Sequence, residues 1–190
     1  MGPVRPKTTA MPCYGIEYVG SIRRRYSKHR PERIMKRLVF TFIFLIVCWF
    51  AMQIVHELGH VLAAWISGAA VERVVLLPIS RTDTINVKHP LLVYGAGGVF
   101  DALFPVILWM LTCLLRSRFA YLFRFFAGFC LIANGAYIGA DFSTVGPTDA
   151  GLLMEHGANR AVLVAFGLVC VTSGLYLWHE QSRYFFPGED

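Results

Sequence analysis

Residues 38 to 66 read LVFTFIFLIVCWFAMQIVHELGHVLAAWI, an apolar run interrupted chiefly by Gln53, His56, Glu57 and His60. An α-helix rises 1.5 Å per residue and the hydrocarbon core of a bilayer is about 30 Å thick, so about 20 apolar residues are enough to cross it. The run meets that length. Working outward, three more runs qualify: 91 to 115, with Asp101 its only charge; 120 to 140, with Arg124 near its start; and 161 to 178, with no charge. The expected fold is an all-α polytopic membrane protein with about four transmembrane helices.

Composition agrees with that reading. Of 190 residues, 56% are hydrophobic and 16% charged, against roughly a quarter charged in soluble domains, and the mean hydropathy is +0.53. A water-soluble globule is excluded, and 15 Phe, 8 Tyr and 4 Trp exclude a disordered chain. The net charge of +6 comes from a basic N-terminal stretch. Arg23, Arg24, Arg25, Lys28, Arg30, Arg33, Lys36 and Arg37 directly precede the first run, where a cytoplasmic tail meets anionic headgroups of the lipid bilayer. That placement argues for a membrane surface and against nucleic acid as the partner. The chain thus divides into a basic cytoplasmic N-terminal tail (1–37), a membrane-embedded region (38–178) and a C-terminal tail (179–190). Lys and Arg number 10 in the N-terminal tail, 3 in the 116–124 turn and 1 in the C-terminal tail, against 4 in the two other loops, which favours both termini in the cytoplasm by the positive-inside rule. Cys13, Cys48, Cys113, Cys130 and Cys170 have no CxxC spacing, so no disulfide framework or cysteine metal site is implied.

Two connecting segments change character. Residues 71 to 88 (VERVVLLPISRTDTINVK) carry β-branched residues on both sides of Pro78, which suits a short β-hairpin and equally an irregular loop. Residues 141 to 160 (DFSTVGPTDAGLLMEHGANR) are too polar and broken to span. At membrane depth such a segment is tolerated only against protein or a polar cavity.

His56-Glu57-Leu58-Gly59-His60 is an HExxH sequence. Residues four apart lie one turn apart on one helix face, so two imidazoles can reach a single zinc ion with Glu57 beside them. Zinc held by three protein ligands keeps an open position and acidifies water, and a neighbouring carboxylate can accept the proton. That is hydrolase chemistry. The competing reading is polar glue between helices, but each ionisable group at a helix centre in a bilayer costs about 2.5 to 3.5 kcal/mol on insertion scales. Two His and a Glu within one turn are poorly explained by packing. For the third ligand the candidates are Asp101, Asp141, Asp149 and Glu155, with His156 as a nitrogen donor.

Here the chain resembles the site-2 protease-like intramembrane zinc metallopeptidases. Their motifs are HExxH in one transmembrane helix, a GPxxN-like stretch in the next, and NxxPxxxLDG further on. HELGHVLAAWISG at 56–68 matches the first closely. Gly97-Gly98-Val99-Phe100-Asp101 stands for the second, with Gly for Pro and Asp for Asn, and 141 to 150 (DFSTVGPTDA) for the third, with Asp149 at the ligand position. The resemblance covers roughly residues 38 to 160. It implies His56, His60 and Asp149 as zinc ligands, Glu57 as general base, and a membrane-protein or transmembrane-peptide substrate. Asp141, at the family's Asn, is the second choice for the third ligand, or holds substrate, or caps a helix end. Asp101 serves the substrate or hydrogen-bonds a ligand histidine, or else pairs with Arg124. Two rival readings stand beside this one: a non-proteolytic zinc-binding scaffold or regulatory relative, and the prenyl-protein class of HExxH proteases, for which Glu155 would be the ligand.

Overall fold

A computed structural model describes residues 30–76, 80–141, 148–179 and 181. The chain separates into two units, Met1–Phe42 and Ile43–Asp190, and the site described below lies within the second. Five helices and a hairpin follow one another: α1 (Arg30–Ser67), β1 (Ala70–Val75), β2 (Arg81–Ile85), α2 (Pro90–Leu114), α3 (Ala120–Gly139), α4 (Asp149–Glu155) and α5 (Arg160–Trp178). Four of them, α1 (from Ile34), α2, α3 and α5, are long and apolar enough to cross a membrane.

Helix α1 begins at Arg30, inside the stretch assigned to the tail, and not at Leu38. Arg, Glu, Met and Lys are good helix formers, so the helix continues where the apolar run does not. Its other end is set by Gly68, whose φ of 72° is left-handed. The amide of Gly68 donates to the Trp65 carbonyl and that of Ala69 to the Ala64 carbonyl, the paired bonds by which a glycine closes a helix C-terminus.

The hairpin forms, in antiparallel register from Ala70 opposite Ile85 to Val75 opposite Arg81. A bulge between Val71 and Arg73 leaves Glu72 as the extra residue and breaks the apolar alternation that would have marked β1 in the sequence. Asn86 turns into the left-handed region (φ 58°) and ends β2 at Ile85. Pro78 lies outside the described residues.

Helices α3 and α5 cross at glycines. A Cβ on Gly135 would fall 2.6 Å from the Cβ of Cys170, and one on Gly139 would fall 2.8 Å from the Cα of Gly167, so backbone lies directly on backbone. Trp178 closes the pair, stacked on Phe125 with ring centroids 4.8 Å apart and its indole N–H donated to the Phe125 carbonyl at 3.0 Å. Helix α2 packs against them through Ala102, which joins Ala127, Leu131 and Cys170 in one buried cluster. Large apolar side chains elsewhere on these helices, such as Leu103, Met110, Leu168 and Val169, point outward, as lipid-facing residues do.

Candidate metal centre

The HELGH turn is pressed onto α2 by two glycines. Gly59 faces the Ala96 carbonyl and Phe100, and a Cβ there would lie 2.7 Å from each. Gly97 supplies the space for both imidazoles: a Cβ on it would overlap His60 Nε2 and stand 2.7 Å from His56 Nε2. In the sequence this glycine opens the GPxxN-like stretch; what it makes room for is a pair of rings.

Lying over Gly97, the His60 ring reaches back one turn of α2, and its Nδ1 meets the Val93 carbonyl at 2.7 Å. A carbonyl only accepts, so Nδ1 carries the proton and Nε2 presents its lone pair. This is the outer contact metal-binding histidines make. It falls to a backbone oxygen, where the sequence had offered Asp101.

Asp149 arrives on α4. Thr148 caps that helix, its hydroxyl accepting from the Gly151 amide at 3.1 Å, and the apolar face of α4 (Ala150, Leu153) is buried against Ile138 of α3 and Leu163 of α5. The carboxylate is thereby held at the histidines: Oδ2 is 2.9 Å from His56 Nε2 and Oδ1 3.4 Å from His60 Nε2, while the two Nε2 atoms are 3.1 Å apart. Burial works to raise the pKa of this carboxyl, but the His56 and His60 rings beside it prevail and hold it below the ordinary range. Among the described residues, His56, His60 and Asp149 form the one His/Cys/Asp/Glu group with all ligand atoms within 4.8 Å of one another. Converging lone pairs of this kind are what a metal ion satisfies, and the group could hold one.

Glu57, 2% exposed, adjoins this triad without entering it. Its Oε2 accepts from the Thr82 hydroxyl at 2.5 Å, and one turn earlier Gln53 Oε1 accepts from the Ser80 hydroxyl. Glu57 and the triad line a cavity of about 570 Å³, with Trp49, Asn134 and Tyr137 also in its wall.

Asp101 lines the same cavity and is fully buried. Among the described residues, neither of its carboxylate oxygens has a hydrogen-bond partner. The Cys130 thiol stands beside it but outside bonding geometry, and a thiol is a weak donor. Pro105, four residues on, has no N–H to offer the Asp101 carbonyl, so acceptors of side chain and main chain gather at one level of α2. The Arg124 expected as its partner instead reaches the His179 carbonyl, at 3.3 Å.

Asp141 stands just past the C-cap of α3 at Ala140, and Glu155 is an exposed residue at the end of α4. Neither belongs to the triad. His156 caps α4 with its Nδ1 at 2.8 Å from the Leu152 carbonyl. Within the third motif, residues 142–147 lie outside the described residues. Thr82, Ser80, Gln53 and Tyr137 were not foreseen. The Thr-Asp-Thr alternation at 82–84 marks a strand with a hydroxyl face, but nothing local says which helix that face meets.

Compared with protein-family models, curated proteins and solved structures, the chain finds no match.

Proposed function

We propose that this chain is an intramembrane zinc endopeptidase, akin in its chemistry to the site-2 protease-like class, that hydrolyses peptide bonds in or near transmembrane segments. The observation that carries the reading is the His56–His60–Asp149 triad with Glu57 beside it in a cavity among apolar helices. Zinc fits the donors. Zn–N and Zn–O bonds of about 2.0 to 2.2 Å on a tetrahedron put neighbouring ligand atoms about 3.3 to 3.6 Å apart; the observed 3.4 Å lies in that range, and 3.1 and 2.9 Å fall about 0.2 and 0.4 Å short of it. Two imidazoles and one carboxylate are also a borderline donor set that suits zinc, and three protein ligands leave a position open.

When bound, the ion supplies Lewis acidity toward water and the scissile carbonyl. The chain's residues do the rest. Glu57 accepts the proton of the attacking water and delivers it to the leaving amine. Asp101, buried in the cavity wall, accepts from substrate main-chain N–H groups. The hairpin offers strand edges on which an unwound substrate segment can pair. Orientation follows the charge distribution, with the N-terminus in the cytoplasm.

The test uses purified, zinc-loaded protein and a transmembrane peptide substrate. Glu57→Gln is expected to keep its zinc and lose about 100- to 10,000-fold in cleavage rate, the usual contribution of a general base, while His56→Ala loses the ion. Proteolysis at the wild-type rate by Glu57→Gln would sink the reading.

A further inference from the structure

Strand β2 is fastened to α1 by two side-chain bonds that share one repeat. Gln53 and Glu57 are four residues apart on a helix, so they occupy one face about 6 Å apart along the axis. Ser80 and Thr82 are two residues apart on an extended chain, so they occupy one side about 6.6 Å apart. The two spacings nearly coincide. Ser80 therefore meets Gln53 while Thr82 meets Glu57, and the strand lies along the helix like the second rail of a ladder.

The lower rung has a direction. A carboxylate with no proton only accepts, so the hydrogen of the Thr82 hydroxyl points at Glu57 Oε2. That bond, 2.5 Å long, is of the short charge-assisted kind. It commits one oxygen of a carboxylate whose side chain lines the cavity. A glutamate has three rotatable side-chain bonds, and next to two histidines and an aspartate an unfastened one could swing into the ligand set as a fourth donor.

We propose that Thr82 is the positioning residue for Glu57: its hydroxyl holds the carboxylate beside the triad in the orientation that proton transfer requires, and the Ser80–Gln53 bond keeps β2 in place to do so. The inference rests on the reading of Glu57 as general base. Thr82 touches neither substrate nor metal in this role and acts through Glu57 alone. Threonine suits the task because its branched Cβ narrows the choice of χ1 and so aims the hydroxyl, where the strand backbone has already set the distance.

The experiment compares full-length, zinc-loaded wild type with Thr82→Val, which keeps the shape and loses the hydroxyl, and with Thr82→Ser, which keeps the hydroxyl. Three quantities are read: zinc content, kcat and KM on a transmembrane peptide, and the Kd of acetohydroxamic acid, whose hydroxyl is accepted by a carboxylate poised beside the ion. Thr82→Val should keep stoichiometric zinc and its KM, lose about 10- to 100-fold in kcat, the range for a lost hydrogen bond to a charged group, and bind acetohydroxamic acid about tenfold more weakly. Thr82→Ser should return both to within about threefold of wild type, since it restores the donor. Wild-type kcat and wild-type acetohydroxamic acid affinity in Thr82→Val overturn the assignment, as does a Thr82→Ser no better than Thr82→Val. Loss of zinc from Thr82→Val makes the residue structural and overturns it too. If zinc-loaded wild type cleaves nothing, the proteolytic reading alone fails, and the acetohydroxamic acid series still decides on Thr82: a tenfold loss with rescue by Ser supports it, and equal affinities refute it.

Discussion

Replacing Gly97 by alanine adds one methyl group at the point where α2 faces both imidazoles. The new Cβ would overlap His60 Nε2 and stand 2.7 Å from both His60 Cδ2 and His56 Nε2. Ordinary contact for a Cβ begins at 3.4 Å, so the last two atoms would have to retreat by about 0.7 Å and His60 Nε2 by more, over three times the roughly 0.2 Å tolerance of a metal–ligand bond. The rings have little freedom to do so. His60 is tied through Nδ1 to Val93 on the same helix, and behind them Gly59 already lies against the Ala96 carbonyl, so α1 and α2 must separate. Overpacking of this kind costs about 1 to 3 kcal/mol, and if it falls on the bound state, 1.4 kcal/mol per decade makes zinc binding about 5- to 150-fold weaker. The assay is zinc stoichiometry by elemental analysis with a competing chelator titration, and Gly98→Ala is the control. Its Cβ also overlaps a neighbour, the Ile138 Cδ1 methyl, so it burdens packing at the same level of α2 without touching a ligand. Gly97→Ala that holds zinc as tightly as Gly98→Ala would refute the idea that this glycine exists for the imidazoles.

Two further expectations are open to direct measurement. Asp149→Asn should lose zinc by at least tenfold in affinity while Asp141→Asn retains it, because only the first carboxylate meets the histidine nitrogens; release of zinc by the second change alone, in a metal assay, would reverse the assignment. Zinc affinity should fall steadily as pH is lowered, since protons compete with the ion for its ligand atoms; the Asp149 carboxyl, held below its ordinary range, adds nothing to that loss until more acidic pH. A flat chelator titration from pH 8 to pH 5.5 would count against imidazole ligation.

The spans were legible because lipid imposes a single requirement, length of apolar run, that needs no partner to evaluate. Expected boundaries at 91–115, 120–140 and 161–178 fall within a residue of the helices found. Helix α1 reached further back than its apolar run, since the requirement stops at the edge of the lipid and helix formation does not. Helix α4 was read as part of a broken polar segment, although Thr148 with Asp149 in the first turn is a usable capping signal. At the site, His56, Glu57 and His60 were legible from spacing alone because one helix turn holds all three. Asp149, 93 residues from His56, was named through family resemblance, and spacing could not have chosen it over Asp141. The Val93 carbonyl was invisible in principle: every residue carries one, and only the missing side chain at Gly97 lets a ring reach it. Thr82 was hidden for a related reason, since the bulge at Glu72 removes the regular alternation from which the facing of the hairpin might have been inferred.

The distance in sequence between the histidines and Asp149 has a consequence in time. Ribosomes deliver the chain from its N-terminus, so His56 and His60 are made well before the aspartate that completes their triad. A nascent chain that has emerged only through α3 holds two imidazoles and no third ligand. The triad closes after α4 has been synthesised and has seated Ala150 and Leu153 against Ile138 and Leu163, the last of these on α5. The triad is therefore the product of a finished fold, and a partly inserted copy does not bring its three side chains together.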